Sequence, residues 1–158
     1  KWPARIAAGT VAEEPVAHID MMPTLAAVAE APQPEGVVID GENLLPLATG
    51  DGAEQWDRET LFWQSGHYRV VRHGDWKLQV TARPDKQWLF NLAEDPTEQN
   101  NLAATEPQKL AELQALLDAH AASARPPLYP AATELSIAID KTLAEPFAEG
   151  DEYIYWPN

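Results

Sequence analysis

Between Leu61 and Leu92 apolar residues return at alternate positions, in short runs separated by turn residues. Leu61, Phe62 and Trp63 open the stretch, and Tyr68 to Arg72 follows. His73-Gly74-Asp75 is a tight turn, after which Trp76, Leu78 and Val80 share one face and Lys77 and Gln79 the other. A Pro84-Asp85 loop leads to Gln87 to Leu92, where Trp88, Phe90 and Leu92 lie on one face. Period-two alternation with aromatic and β-branched residues between turn signals predicts half-buried strands. The stretch reads as an antiparallel meander.

A different period follows. Leu110, Leu113, Leu116 and Leu117, extended by Ala121 and Ala124, form one stripe of a long helix. Thr105-Glu106-Pro107-Gln108 has the spacing of a capping box at its start. Four leucines buried at ~2 kcal/mol each suit it to cover one face of the sheet. His120 continues the stripe and reads as a histidine at the buried edge rather than a ligand. Asp95-Pro96-Thr97-Glu98 fits a type I turn after the last strand.

Upstream, Met22, Leu25, Ala26, Val28 and Ala29 predict a short amphipathic helix, with Asp20 as its N-cap and Pro23 in its first turn. His18 beside Asp20 reads as capping and packing rather than a metal or acid–base pair. Val37-Val38-Ile39 is a brief apolar run, Leu44 to Leu47 brackets Pro46, and Gly50-Asp51-Gly52 is a flexible tip. Downstream, Arg125-Pro126-Pro127 stops the long helix. The remainder carries Pro130, Pro146 and Pro157, one possible strand at Ile137 to Ile139, and an aromatic end from Tyr153 to Trp156. The pattern is thus α+β: a small antiparallel sheet of about four strands covered by one long helix and followed by an extended Pro-rich tail. Exposed aromatics at both ends are costly. Trp2 is expected to pack on surface upstream of Lys1, and the tail to wrap a larger body.

Composition adjusts this picture in three ways. A net charge of −14 argues against nucleic acid and anionic membranes as partners. The charge is uneven: Asp57 to Trp88 carries a net of +2. Such a basic sheet suits either an anionic substrate or ordinary solvated strand faces. With no cysteine there is no disulfide, zinc–thiolate site or thiol nucleophile.

Candidate chemistry is sparse. Ser65, Ser123 and Ser136 are the serines, and none sits in G-x-S-x-G. There is no G-x-G-x-x-G, P-loop or H-E-x-x-H. The best functional loop is Trp63-Gln64-Ser65-Gly66-His67-Tyr68, a flexible glycine among hydrogen-bonding and aromatic groups. Its His67, Ser65 and Trp63 are the candidates for a substrate-pocket rim; a plain strand connection is the alternative.

WPARIAAGTV, HIDMMPTLAAVA, IDGENLLPLATG, LFWQSGHYRVVRHGDWKLQV and WLFNLAEDPTEQNNLA, in that order, resemble the C-terminal half of the sulfatase family. The likeness is nearest to its arylsulfatase B-like (N-acetylgalactosamine-4-sulfatase-like) branch. It implies an alkaline-phosphatase-like superfamily architecture. Residues 1–56 would then end the large α/β domain, 57–125 form the sheet-plus-helix subdomain, and 126–158 be the tail wrapping the large domain. The implied chemistry is hydrolysis of sulfate esters with a formylglycine made in C/S-x-P-S-R and a calcium ion clamping the sulfate. No C/S-x-P-S-R occurs here. No catalytic or metal residue is therefore assigned, and Lys77 of the G-D-W-K word reads as a strand residue. Calcium and formylglycine are expected in an N-terminal catalytic portion, which is the expected partner, alongside a sulfated small molecule or glycan. A periplasmic or secreted location is implied by the family alone. A stand-alone binding or assembly module, or a related phosphatase or phosphonate hydrolase, are the alternatives.

Overall fold

In the computed structural model the described residues are 2–52, 54, 56–125, 128–129, 133–142 and 144–157. Pro126, Pro127 and Pro130 of the helix stop and tail lie outside them. The chain divides into two compact units, Lys1–Arg58 and Glu59–Asn158.

The first unit holds α1 (Met21–Val28) and α2 (Leu45–Thr49). A 3-10 turn at His18–Asp20 leads into α1 and holds Asp20 at φ −74, ψ −17. That is helical rather than the extended backbone a cap needs, so Asp20 does not cap α1. Its carboxylate accepts instead from the Ala17 and Glu42 amides, at 2.7 and 2.9 Å. Gly41 makes the second bond possible. A Cβ there would lie 2.1 Å from the Ile19 carbonyl oxygen, so only glycine lets the chain pass this close. Thr24 ties the unit further, donating to Asp20 O and accepting from the Leu44 amide. Val37 to Ile39 forms no strand, and α2, which Pro46 helps to start, ends at Gly50 with φ +81.

The second unit is built on a four-stranded antiparallel sheet in the order β1 (Thr60–Ser65), β2 (Tyr68–His73), β3 (Trp76–Ala82), β4 (Asp85–Asn91). Register places Val71, Leu78 and Leu89 opposite one another on one face. They are fully buried with Leu113 and Leu117 of α3 (Pro107–Ser123), and Phe62, Trp76, Leu110 and Leu116 pack around them. At the edge of this face His120 stacks on Phe62, ring centroids 4.1 Å apart. The capping box does not form. Pro107 is the first helical residue and pushes Glu106 out of the helical region, to φ −118, ψ 59. Thr105 then falls one residue too early to cap, and its hydroxyl donates to Leu102 O.

The opposite face carries Val70, Gln79 and Trp88 in register. It too is covered. Within the stretch expected to be an extended tail, β5 (Glu134–Ala138) and β6 (Tyr153–Pro157) pair as a two-stranded antiparallel sheet. Ile154 of β6 is buried against Trp88 and Phe90. The alternation in β4 therefore marks two cores, Leu89 in one and Trp88 with Phe90 in the other.

Candidate functional site

Asp95 to Leu102, which follows the last strand, folds as a clasp on the sheet. Glu98 N donates to Asp95 O, closing the expected turn. The amides of Gln99 and Asn100 hold the Asp95 carboxyl below its usual range. Asn101 then serves the open edge of β4. Its Oδ1 accepts from the Leu89 amide and its Nδ2 donates to Gln87 O, each at 3.0 Å, while Leu102 N donates to Leu89 O. Edge groups that would otherwise stay unpaired are satisfied. Glu98, at φ +58, reaches back over the sheet to bond Lys77 Nζ at 2.6 Å and to accept from Gln79 Nε2. Gln79 in turn accepts from the Tyr68 hydroxyl. Burial, with the Glu98 charge, pushes the Tyr68 hydroxyl up to about 12. Beside this chain lies a cavity of about 480 Å³, bordered by Gln79, Trp88, Glu98, Asn101 and the tail residues Asp140 and Glu152.

The rim candidates lie in β1 and in the turn from β1 to β2. Trp63 and Ser65 are alternate residues of β1, so they share a face, and Trp63 is 41% exposed. His67 follows Gly66, whose φ of +56 allows the tight connection to β2. His67 Nε2 lies 3.2 Å from Glu134 Oε1 of β5, and Arg83 Nη1 lies 3.1 Å from Glu134 Oε2. The Arg83 guanidinium also sits over the Tyr155 ring, at 5.2 Å. Gly66 and His67 border a second cavity of about 500 Å³ together with Gln64, Arg69, Lys86 and Gln114. The structure thus brings His67 to a polar hollow with two cations and a tail carboxylate nearby. Ser65 and Trp63 do not border it. The arrangement can hydrogen-bond a polar ligand, but it contains no activated nucleophile.

The basic excess of the sheet is spent on ion pairs. Arg58 pairs with Asp20 and Glu42, Arg69 with Asp118, Lys77 with Glu98, Arg83 with Glu134 and Lys86 with Glu152. Arg72 Nε donates to Gly74 O. A broad cationic face for an anionic substrate is not what these residues build. Among the described residues no group of three or more His, Asp or Glu side chains is placed to hold a metal. No described helix is long and apolar enough to cross a membrane.

Sequence reasoning missed the Tyr68–Gln79–Glu98–Lys77 chain and the Asp20–Arg58–Glu42 cluster. A glutamine in the middle of an alternating strand was the available signal for the first. Asp20 and Arg58 are far apart in sequence and carry no local pattern that links them.

Comparison with known proteins agrees with this geometry. Residues 1–125 match the family described as N-sulphoglucosamine sulphohydrolase, C-terminal. Steryl-sulfatase of Homo sapiens is 36% identical over 106 residues, covering 66% of this chain and 18% of the human protein. Arylsulfatase A of Bos taurus is 34% identical over 128 residues, covering 64% of this chain and 24% of the bovine protein. A solved 2-O GAG sulfatase superposes with a TM-score of 0.55 at 26% identity, over 65% of this chain and 24% of its own. The chain therefore spans about a fifth to a quarter of the length of these relatives.

Proposed function

This chain belongs to the N-sulphoglucosamine sulphohydrolase C-terminal family, and from that premise we propose that it is the non-catalytic C-terminal portion of a sulfate ester hydrolase. The family match across residues 1–125 carries the reading. The internal economy of the chain supports it. Its most specific words, GDWKL and DPTEQNNL, are used to pair strands, close a sheet edge and seat a helix. In the whole enzyme this portion braces the catalytic body and supplies one wall of the substrate cleft, with His67 at the rim and Ser65 and Trp63 on the strand behind it. The substrate is a sulfated small molecule or glycan.

Calcium and formylglycine belong to this proposal as groups of the catalytic portion. The described residues offer no fitting set of ligands, so none is assigned to either group and no step is derived through them. A periplasmic or secreted location is part of the same reading.

The test is His67→Ala in the full-length parent protein. Loss of a rim hydrogen bond should raise KM by about threefold to tenfold, equivalent to ~1 kcal/mol, with kcat nearly unchanged. Unaltered KM across several sulfate esters would remove His67 from the rim. A kcat that falls as far as kcat/KM would instead mean a bond made only in the transition state.

A further inference from the structure

The helix α1 reads Met-Met-Pro-Thr-Leu-Ala-Ala-Val and carries no charged side chain. One side of it is committed to its own unit. Pro23 is buried, and the Thr24 hydroxyl, the one polar side chain of the helix, donates to Asp20 O and accepts from the Leu44 amide. The other side is open among the described residues. Met21, Met22, Leu25 and Val28, at the spacing of one helix face, are 40% to 58% exposed. Ile19, in the turn before the helix, is exposed as well. A surface helix ordinarily turns charged residues to water, as α3 does with Glu112 and Asp118. An uncharged helix with its apolar face open has the pattern of a buried helix whose cover lies outside these residues.

Charge and chain length select the occupant. Residues 1–58 carry ten Asp and Glu against three Lys and Arg. Pairing this face with its own copy, or laying it on an anionic membrane, would set like charges against each other. The stretch shared with steryl-sulfatase and arylsulfatase A makes up 18% and 24% of those proteins, and the matched family is described as C-terminal. On the functional reading above, the larger part of the polypeptide therefore precedes residue 1 and is tethered to this unit. A tethered surface meets the helix at a high effective concentration, which a free partner lacks.

We infer that the open face of α1 is an internal docking surface, on which Met21, Met22, Leu25 and Val28 pack against an apolar surface of the sulfatase polypeptide preceding residue 1. The inference rests on the functional reading above and names the face through which this portion meets the rest of the enzyme.

The test uses the full-length parent protein without substitution. Met21 and Met22 are the two methionines of residues 1–158, so the face carries its own probes. Peptide mapping after exposure to hydrogen peroxide should find both oxidised about tenfold more slowly in the native parent than in the urea-unfolded parent. Oxidation at close to the unfolded rate would show the face open in the whole protein and overturn the inference. The parent is then grown with photo-methionine, a diazirine analogue of nearly the same shape, and irradiated. Cross-links from residues 21 and 22 should reach peptides upstream of residue 1 in the same molecule. Cross-links confined to residues 1–158, or running between isotopically distinct copies, would also overturn it. Sulfate release by the parent reports separately on the functional reading. Activity with both methionines unprotected refutes the docking surface alone; protection and upstream cross-links without activity support the docking surface and remove the sulfatase reading.

Discussion

Asp20 is fully buried yet anionic. Burial pushes its carboxyl up, but the Ala17 and Glu42 amides and the Arg58 guanidinium outweigh that and hold it below the ordinary value. A depressed native pKa means stability that is complete above the unfolded value, about 3.9, and is lost as pH falls through the native one. Asp20→Asn should therefore cost ~3 kcal/mol at pH 7, as expected on breaking a buried pair. It should also flatten the decline below about pH 4; urea unfolding at pH 7 and pH 3 measures both. Tyr68 has the opposite sign. Its native pKa of about 12 exceeds the unfolded value, so its contribution is complete below about pH 10 and lost as pH rises toward 12. Ultraviolet titration should find a tyrosine ionising near 12, and Tyr68→Phe should abolish that step. If the step persists in the variant, the assignment to Tyr68 is wrong.

Among the elements, the sheet depends on its clasp. Asn101 makes three hydrogen bonds, to Leu89 N, Ala103 N and Gln87 O. Asn101→Ala should cost about 2 kcal/mol and raise amide exchange at Leu89 and Leu102, while leaving the β2–β3 pairing protected. Uniform loss of protection across the sheet would show that the clasp is not a separable edge device. The strands were legible in the sequence because alternation and turn residues coincide at Gly74 and Gly66. The long helix was legible from the stripe Leu110, Leu113, Leu117. What alternation could not convey is that Trp88 and Leu89 belong to different cores, since β6 covers the second face from more than sixty residues away. Local cap patterns failed for a related reason. Backbone imposed by the 3-10 turn before α1 and by Pro107 overrode Asp20 and Thr105 as caps. Of the rim candidates, His67 reaches a cavity through its turn, whereas Ser65 and Trp63 were grouped with it only by sequence proximity.

At the scale of the molecule, the GDWKL and DPTEQNNL words and most basic side chains of the sheet are committed to structure. Lys77, Arg83 and Lys86 each hold a carboxylate of a neighbouring segment, at 2.6, 3.1 and 2.6 Å. The more exposed of these, the Arg83 and Lys86 pairs, are worth about 0–1 kcal/mol each, so they fix the tail on the sheet more than they add stability. On the function proposed above, a portion organised this way contributes shape and a rim to an enzyme whose chemistry lies elsewhere in the polypeptide. The most direct measurement is sulfate release from an aryl sulfate, comparing the full-length parent protein with residues 1–158 alone at equal concentration. The account predicts turnover by the parent and none by residues 1–158. Turnover by residues 1–158, or a parent protein inactive on every sulfate ester offered, would contradict it.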